Sequence, residues 1–262
     1  MDLGIRGRKG IVNGGSAGLG LGSARALAKE GVDLFIAARG ADRLKRVCDA
    51  LAAETGSTVT PVVADHSTPD GRARILEACP APDILVATCS PPTWTGDFQT
   101  VEPEHWEAGL ATTLISPVEM MRAIIPGMID RKWGRIVMIG TGASKFPVEA
   151  RILSGAPRAA LVNYVVAVAK KVAKHGVILN NMLPGMYHTA TIHDSFTAQA
   201  EERGITYDDV VQEFIDNWHI PAGKFGQIDD FGAVCAMLCS EYANYTVGQS
   251  WVMDGGIGNT TF

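Results

Sequence analysis

A cluster of glycines near the start of the chain could hold a phosphate group. The residues Asn13-Gly14-Gly15-Ser16-Ala17-Gly18-Leu19-Gly20 stand between an apolar β-type run and a helical pattern. Glycines allow a tight turn in which backbone N–H groups approach a pyrophosphate, and the following helix adds the positive end of its dipole. This order of strand, turn and helix predicts a dinucleotide-binding turn. Its expected contact residues are Asn13, Gly14, Ser16, Gly18, Leu19 and Gly20.

The cysteines do not form a metal or disulfide pattern. Cys48, Cys79, Cys89, Cys235 and Cys239 are widely spaced, without a CxxC or Cys/His ligand pairing. Cys235 and Cys239 are four residues apart in an apolar helical run, where both can face the same packed side. We therefore expect reduced thiols, no metal site and a cytoplasmic location.

Alternating strand and helix patterns must position the glycine turn. Strands are predicted at Gly10–Asn13, Asp33–Ala38, Thr58–Ala64, Ile84–Thr88, Arg135–Ile139, Val177–Asn181 and Gln249–Met253. Helical patterns fall at Ser16–Glu30, Asp42–Glu54, Pro69–Ala78, Pro103–Asp130, Arg158–His175 and Asp229–Leu238. Such βαβ units form parallel sheets with right-handed crossovers. We predict an α/β fold: a Rossmann-type doubly wound parallel sheet of about seven strands, with helices on both faces in a three-layer αβα sandwich.

Length and composition favour one dinucleotide-binding domain over residues 1–262, since no repeat or linker interrupts the alternation. Residues 189–222 fall between the last two strands and carry a helical pattern at Asp208–Asp216, so we predict an inserted substrate cap there. The net charge of −5 offers no basic field for nucleic acid. Without an apolar leader or an uninterrupted apolar span, we expect no membrane partner.

The glycine spacing carries a family resemblance. Gly14, Gly18 and Gly20 follow the spacing of the motif TGxxxGxG, with Asn13 in place of the threonine, and the chain thus resembles the short-chain dehydrogenase/reductase family. Further matches follow in order at Asp65, Asp83-Ile84-Leu85-Val86, Trp106, Gly134-Arg135-Ile136-Val137, Asn181-Met182-Leu183-Pro184-Gly185, Thr189, Gly226, Gly248-Gln249 and Asp254-Gly255-Gly256. The resemblance covers nearly the whole chain and implies a nicotinamide cofactor with a carbonyl or alcohol substrate.

The resemblance also implies contacts for the rest of the cofactor. Asp65 matches the residue at the adenine ring, Thr189 the one that holds the nicotinamide amide, and Pro184 and Gly185 lead to it. An NAD site would place a carboxylate after the second strand, where this chain has Ala38 followed by Arg39, which suits a 2′-phosphate. We therefore expect NADP(H) to be favoured over NAD(H). Two alternatives stay open: Arg39 as a solvated loop charge, and Asp65 as a helix cap.

The chain departs from the family at its chemical residues. Aligned by the fifth strand, Thr141 takes the place of the family's serine, and Thr113 that of its asparagine. Ser154 and Arg158 replace the Tyr-x-x-x-Lys pair, and Ala87-Thr88-Cys89-Ser90 replaces the family's NNAG. The sequence in this respect resembles an atypical subgroup related to β-ketoacyl reductases, which has Ser-x-x-x-Arg at this place.

These replacements make proton transfer the open question. A serine hydroxyl titrates far above a tyrosine, whose pKa is about 10, whereas a guanidinium can still hold ribose hydroxyls or a substrate oxygen. Lys145 and Tyr187 are the first alternative donors, and His188 a further one, since they follow strands five and six at the ligand-binding edge. Lys145 could equally be a solvated charge and Tyr187 part of the pocket wall.

Aromatic and apolar residues gather at the same edge and predict a pocket for an apolar or aromatic carbonyl compound, or alternatively pack the cap onto the domain. They are Trp94, which follows the stiff Pro91-Pro92, and Phe98, Phe146, Met186, Tyr187, Phe214 and Trp218. The nearly uncharged run Ala159–Ala169 and the terminal Phe262 predict a homotetramer or homodimer.

The first hypothesis is an NADP-dependent carbonyl reductase or alcohol dehydrogenase with a non-standard active site. The alternatives are a lyase, isomerase or dehydratase on the same fold, and a non-catalytic nucleotide-binding protein.

Overall fold

The computed structural model describes residues 1–88 and 97–258. A single parallel sheet in the order β3-β2-β1-β4-β5-β6-β7 runs through the described part of the chain. This confirms the predicted doubly wound α/β fold. The strands are β1 (Lys9–Asn13), β2 (Asp33–Ala38), β3 (Val59–Val63), β4 (Ile84–Ala87), β5 (Gly134–Ile139), β6 (Val177–Pro184) and β7 (Ser250–Met253).

Helices cover both faces of the sheet. They are α1 (Gly18–Lys29), α2 (Ala41–Thr55), α3 (Pro69–Ala78), α4 (Pro103–Leu110), α5 (Ser116–Asp130), α6 (Ile152–Val172), α7 (Ala190–Arg203), α8 (Tyr207–Asn217) and α9 (Ile228–Leu238). One apolar core contains buried residues of α1, α2 and α9, and a second contains those of α3, α5 and α6. Strands β4, β5 and β6 are buried along their whole length, as expected for strands covered on both faces.

The start of α6 differs from the sequence prediction, which placed the helix from Arg158 onward. The helix begins at Ile152 and contains both Gly155 and Pro157, two residues with low helix propensity. Gly155 packs so closely on the preceding loop that a Cβ atom there would lie 3.0 Å from the Ala143 carbonyl oxygen. Tertiary packing therefore overrides propensity, and Ser154 and Arg158 belong to the same helix.

The predicted helix at Pro103–Asp130 is interrupted by one π-helical turn, Ala111–Ile115, between α4 and α5. A π-bulge leaves an irregular hydrogen-bonding pattern and often marks a functional site. Here the turn carries Thr113, the residue aligned with the family's asparagine.

Two helical stretches, Pro103–Asp130 and Glu149–His175, are long and apolar enough to cross a membrane, by length and composition only. In each, 44% of the apolar window is buried inside the protein. Core helices of soluble proteins meet the same criterion, so this is weak evidence for a membrane span.

The segment 189–222 contains α7, which the sequence did not predict, and α8. They enclose a small third apolar cluster built around Phe196, Val210, Ile215 and Phe225. Thr189 is the N-cap of α7, where its Oγ1 accepts a hydrogen bond from the Ile192 amide at 3.3 Å. This segment stands directly after β6, at the same sheet edge as the glycine turn.

Candidate active site

The site lies where the chain leaves β1 and β4 on opposite faces of the sheet. Asn13 pairs with Ala87 at the carboxyl ends of these neighbouring strands. After β1 the chain enters α1 on one face, and after β4 it enters α4 and α5, whose core lies on the other face. Open parallel sheets bind their ligands in the crevice formed at such a switch point.

The glycine turn has the geometry needed for close approach of a ligand to the backbone. Gly14 and Gly18 have positive φ angles of 72° and 54°. A Cβ atom on Gly20 would overlap the Gly14 carbonyl. The N-cap of α1 is Ala17, which provides no side-chain cap, and no acidic residue occupies the first turn. The first amides of α1 are therefore not capped by a side chain and can meet an anion.

A buried polar atom supports the same interpretation. Asn13 is 1% exposed, and its Oδ1 has no hydrogen-bond partner among the described residues. A buried acceptor left unsatisfied costs about 1–3 kcal/mol, so such an atom is expected to meet a ligand or a water molecule. The turn and this acceptor fit a dinucleotide.

The residues aligned with the adenosine end lie at the ends of β2 and β3. Arg39 is exposed. Asp65 Oδ1 accepts hydrogen bonds from the Ser67 amide at 2.9 Å and from its hydroxyl at 2.6 Å, and these bonds lower the pKa of Asp65. Thr68, not Asp65, is the N-cap of α3. Asp65 thus holds the turn that precedes the helix.

Thr189 lies beside the glycine turn, because a Cβ atom on Gly18 would lie 3.4 Å from Thr189 Cγ2. Pro184 ends β6, and the Gly185 amide bonds the Met253 carbonyl at 2.9 Å. The structure thus places Thr189, aligned with the residue that holds the nicotinamide amide, next to the glycine turn at one sheet edge.

The chemical residues meet on α6 and the loop after β5. Arg158 Nη1 donates to Ser154 Oγ at 2.7 Å and to the Ser154 carbonyl at 3.3 Å. Both side chains are buried: Ser154 is 8% and Arg158 4% exposed. Thr141 Oγ1 accepts from the Ala143 amide at 3.3 Å. Each of the two hydroxyl groups therefore accepts one bond and keeps its own hydrogen for a further acceptor.

Beneath these residues lies a cavity of about 10 Å³ at the β1/β4 crevice. Its lining includes the polar residues Asn13, His66, Thr113 and Arg158 and, for most of its surface, apolar groups such as those of Ile139 and Leu161. A cavity of this size has room for about one water molecule. Thr113 is fully buried and donates to the Gly109 carbonyl at 2.7 Å, so its hydroxyl hydrogen is used within the π turn.

His66 is a polar residue of this cavity that the sequence analysis missed. The Ser116 hydroxyl donates to the His66 carbonyl at 2.7 Å, so His66 Nδ1, also 2.7 Å from Ser116 Oγ, must be the donor of that second bond. Burial lowers the pKa of His66. The ring is therefore neutral near pH 7, with Nε2 as an acceptor. Its position directly after Asp65 was the available signal.

The alternative proton donors differ in their exposure to solvent and in their contacts. Tyr187 is 7% exposed, packs edge-on against Phe231 at 5.2 Å and donates to the Met253 carbonyl at 3.2 Å. Burial raises the pKa of Tyr187 to about 12. This core position does not support a role in proton transfer. Lys145 is exposed at the end of the turn after Thr141, and His188 Nδ1 lies 3.2 Å from the Tyr207 hydroxyl.

Most of the described aromatic residues of the expected pocket pack on one another or on the domain. Phe214 stacks on Trp218 at 5.1 Å and meets Phe225 edge-on at 5.5 Å. Phe146 packs against Gly258, whereas Phe98 is 70% exposed. Cys89, Ser90, Pro91-Pro92, Trp94 and Phe262 lie outside the described residues.

The remaining cysteines, Cys48, Cys79, Cys235 and Cys239, are buried and free. Among the described residues, no group of three or more His, Cys, Asp or Glu side chains could hold a metal ion.

Comparison with known proteins identifies the class. The family model described as short chain dehydrogenase matches residues 9–200, and the chain belongs to this family. It is 28% identical to D-beta-hydroxybutyrate dehydrogenase of Cupriavidus necator, over 96% of this chain and 98% of that protein. Homologues of this kind are dehydrogenases and reductases, and the chain is accordingly an oxidoreductase with a Rossmann NAD(P)-binding fold.

Two solved structures extend the comparison. L-sorbose reductase from Gluconobacter frateurii, complexed with NADPH and L-sorbose, superposes with a TM-score of 0.95 at 27% identity and covers 99% of this chain and 100% of that one. An apo short-chain oxidoreductase from Pseudomonas aeruginosa PAO1, reported to contain an atypical catalytic center, gives a TM-score of 0.89 at 25% identity, with 97% and 98% covered.

The glycine turn allows a direct test of dinucleotide binding. We expect Gly20→Ala to abolish the increase in melting temperature that NADPH gives the wild type, because the added methyl group would collide with the Gly14 carbonyl. Gly127→Ala is the matched control, since a Cβ atom there meets only the movable Arg131 side chain at 3.2 Å. An unchanged NADPH response in Gly20→Ala would contradict this assignment of the site.

Proposed function

We propose that the protein is an NADPH-dependent carbonyl reductase or alcohol dehydrogenase in which Ser154, polarised by Arg158, binds the reacting oxygen. The observation that carries the proposal is the buried 2.7 Å hydrogen bond from Arg158 Nη1 to Ser154 Oγ. A cationic donor on a hydroxyl oxygen favours the negative form of that hydroxyl, and therefore strengthens the hydrogen bond that it donates.

The bound nicotinamide cofactor supplies the hydride in reduction and accepts it in oxidation. As the carbonyl oxygen gains negative charge, Ser154 and Thr141 donate hydrogen bonds to it, and the Arg158 charge stabilises it at short range. The turn after Thr141 packs on Gly155, which brings the two hydroxyl-bearing segments together. Of Lys145 and Tyr187, the two alternative donors considered first, Lys145 remains. It lies at the end of this turn and delivers the proton from solvent.

NADP(H) is the cofactor we favour. Arg39 is exposed after β2, next to Ala38, so no carboxylate of that strand end repels a 2′-phosphate. The structural neighbour complexed with NADPH supports this choice. The match to an oxidoreductase with an atypical centre likewise supports membership of the Ser-x-x-x-Arg subgroup.

We propose a carbonyl substrate with an apolar body, held between the sheet edge and a cap formed by residues 189–222. Met186, Phe214 and Trp218 support this, since Met186 and Phe214 are only partly buried and Trp218 is 41% exposed. We also propose that the protein is cytoplasmic and binds neither nucleic acid nor membranes.

The cofactor preference is tested by thermal shift. NADPH is expected to raise the melting temperature more than NADH at equal concentration, because Arg39 can pair with the 2′-phosphate. Arg39→Glu should reverse or abolish the difference by placing a carboxylate against that phosphate. Arg46→Glu, on the exposed side of α2, controls for the charge change. Equal shifts for both cofactors in the wild type would contradict the preference.

The chemical roles are tested by pH–rate curves on one substrate. Ser154→Ala should lower kcat by about 10² to 10³, the loss of one oxyanion donor, without moving the curve. Lys145→Ala should remove a titrating limb, whereas Tyr187→Phe should leave both limbs, because a phenol with a pKa of about 12 stays protonated from pH 6 to 10.

Lys170→Ala, at the far exposed end of α6, is the control for loss of a positive charge. Loss of a limb of the pH–rate curve in Tyr187→Phe would contradict the core position of Tyr187. If Lys145→Ala gave the wild-type curve, the proton would come from water and not from Lys145.

We also propose a homodimer or homotetramer. β7 is an edge strand, and Trp251 on it and the neighbouring Tyr245 are 36% and 101% exposed. An edge strand with exposed apolar side chains favours association with another subunit. Light scattering at micromolar concentration should show a dimer or tetramer for the wild type and a smaller mass for Trp251→Lys. A monomeric wild type would contradict the proposal.

A further inference from the structure

A row of positive and hydroxyl groups lies along one face at the start of α6. Arg151 immediately precedes the helix, and Ser154 and Arg158 follow at intervals of three and four residues. This spacing places side chains on one side of a helix. The face that carries the reacting hydroxyl therefore carries a guanidinium on either side of it.

We propose that Arg151, with Arg158 behind it, binds an anionic group of the substrate, so that the carbonyl substrate is an oxo acid or its hydroxy acid. The proposal rests on the function proposed above and adds the substrate class. It assigns Arg151 as a specificity-determining residue.

The Arg151 side chain is exposed and has no hydrogen bond or ion pair within the described part of the chain, although its backbone amide donates to the Val148 carbonyl at 2.9 Å. The arginines at positions 8, 25, 122, 131, 135 and 203 each lie within 4.0 Å of a carboxylate oxygen, whereas those at 6, 39, 43, 46 and 74, like Arg151, have no such partner among the described residues. Glu149, two residues earlier, is not within that distance of Arg151. Arg151 differs from the other unpaired arginines in its place on the helix face of Ser154 and Arg158, where its guanidinium is available to a ligand.

The electrostatic surroundings of Arg151 also favour binding of an anion. Although the Arg151 side chain as a whole is exposed, partial burial of its guanidinium and the nearby charge of Arg158 both lower its pKa. An arginine nevertheless stays charged in the protein. Two guanidinium groups that repel each other gain from a shared anion, which offsets both the repulsion and the loss of hydration.

A carboxylate fits this arrangement better than a phosphate of the cofactor. The planar fork of a guanidinium matches the two oxygens of a carboxylate. The glycine turn follows β1, whereas Arg151 follows β5, two strands away and about 10 Å across the sheet. Arg151 and Ser154 are three residues apart, a rise of about 4.5 Å, so one small molecule can offer a carboxylate to one and a carbonyl to the other.

The kinetic test uses pairs of 2-oxo and 3-oxo acids with aromatic or alkyl bodies and their uncharged methyl esters. The wild type should prefer each acid over its ester in kcat/KM by at least about tenfold. Arg151→Gln should lower kcat/KM for the acids by about 10- to 100-fold, mainly through KM, with a much smaller loss for the esters. Arg151→Lys should restore part of the acid activity.

Controls separate this effect from damage to the fold or the cofactor site. Lys170→Gln should keep wild-type rates on acids and esters, since Lys170 is exposed at the other end of α6. The NADPH-induced shift in melting temperature should be the same in Arg151→Gln as in the wild type. Equal preference of the wild type for acids and esters, or an equal loss on both in Arg151→Gln, would overturn the proposal.

A binding measurement distinguishes failure of this proposal from failure of the proposed redox function. If no compound is turned over, the same acids are added at millimolar concentration to the NADPH-bound protein. A melting-temperature increase in the wild type that is absent in Arg151→Gln would support the anion subsite and reject the reductase proposal. The same response in both proteins would overturn the subsite itself.

Discussion

The parallel pairing of β1 with β4 is the constraint on which the site depends. It sets Asn13 beside Ala87 at the carboxyl edge while the two crossovers depart to opposite faces of the sheet. The backbone topology alone therefore forms the crevice. Asn13, at the start of the glycine turn, lines one side of the small cavity at its base, and residues of the π turn, α5 and α6 line the other. A shift in the register of this pair would separate the glycine turn from Thr88, which it contacts.

The second requirement is electrostatic. A guanidinium that is 4% exposed is expensive to place unless polar groups surround it. Arg158 has Ser154 as a hydrogen-bond acceptor, and the cavity beside it carries the polar side chains of Asn13, His66 and Thr113 together with aliphatic ones. His66 is held neutral there and so adds no second positive charge next to Arg158. The surroundings of Arg158 thus contain several polar groups besides Ser154.

The sequence predicted the sheet well because its signals are local. Apolar runs of four to eight residues and the glycine turn are visible without tertiary contacts, and the observed strands agree with the predicted ones within about three residues at each end. The largest difference is β6, which extends to Pro184 because β7 pairs with Asn181 to Pro184. That pairing depends on a strand about seventy residues later, so no local pattern in β6 reveals it.

Site details depended on contacts that the sequence does not show. Gly155 and Pro157 argued against a helix before Arg158, yet packing against Ala143 starts α6 at Ile152. Tyr187 follows β6 as the ligand-binding residues do, but an isolated bridge to Gly226 and the bond to Met253 turn its ring into the core. The spacing of Arg151, Ser154 and Arg158 was visible in the sequence. It places the three side chains on one helix face only if the helix begins before Ser154, which the sequence did not predict.

Placing the chemistry on one face of α6 has a consequence for how the site could change. In the family resemblance, the residues at positions 154 and 158 form one unit, and replacing either alone breaks it. Here the 2.7 Å bond makes Ser154 and Arg158 a unit of a different kind, in which the cation lies behind the hydroxyl and is buried. A single guanidinium nitrogen, Nη1, bonds both Ser154 Oγ and the Ser154 carbonyl, and a lysine at 158 would keep the charge but lose the remaining N–H donors of the guanidinium. Arg158 therefore orients the Ser154 hydroxyl and polarises it with the same group.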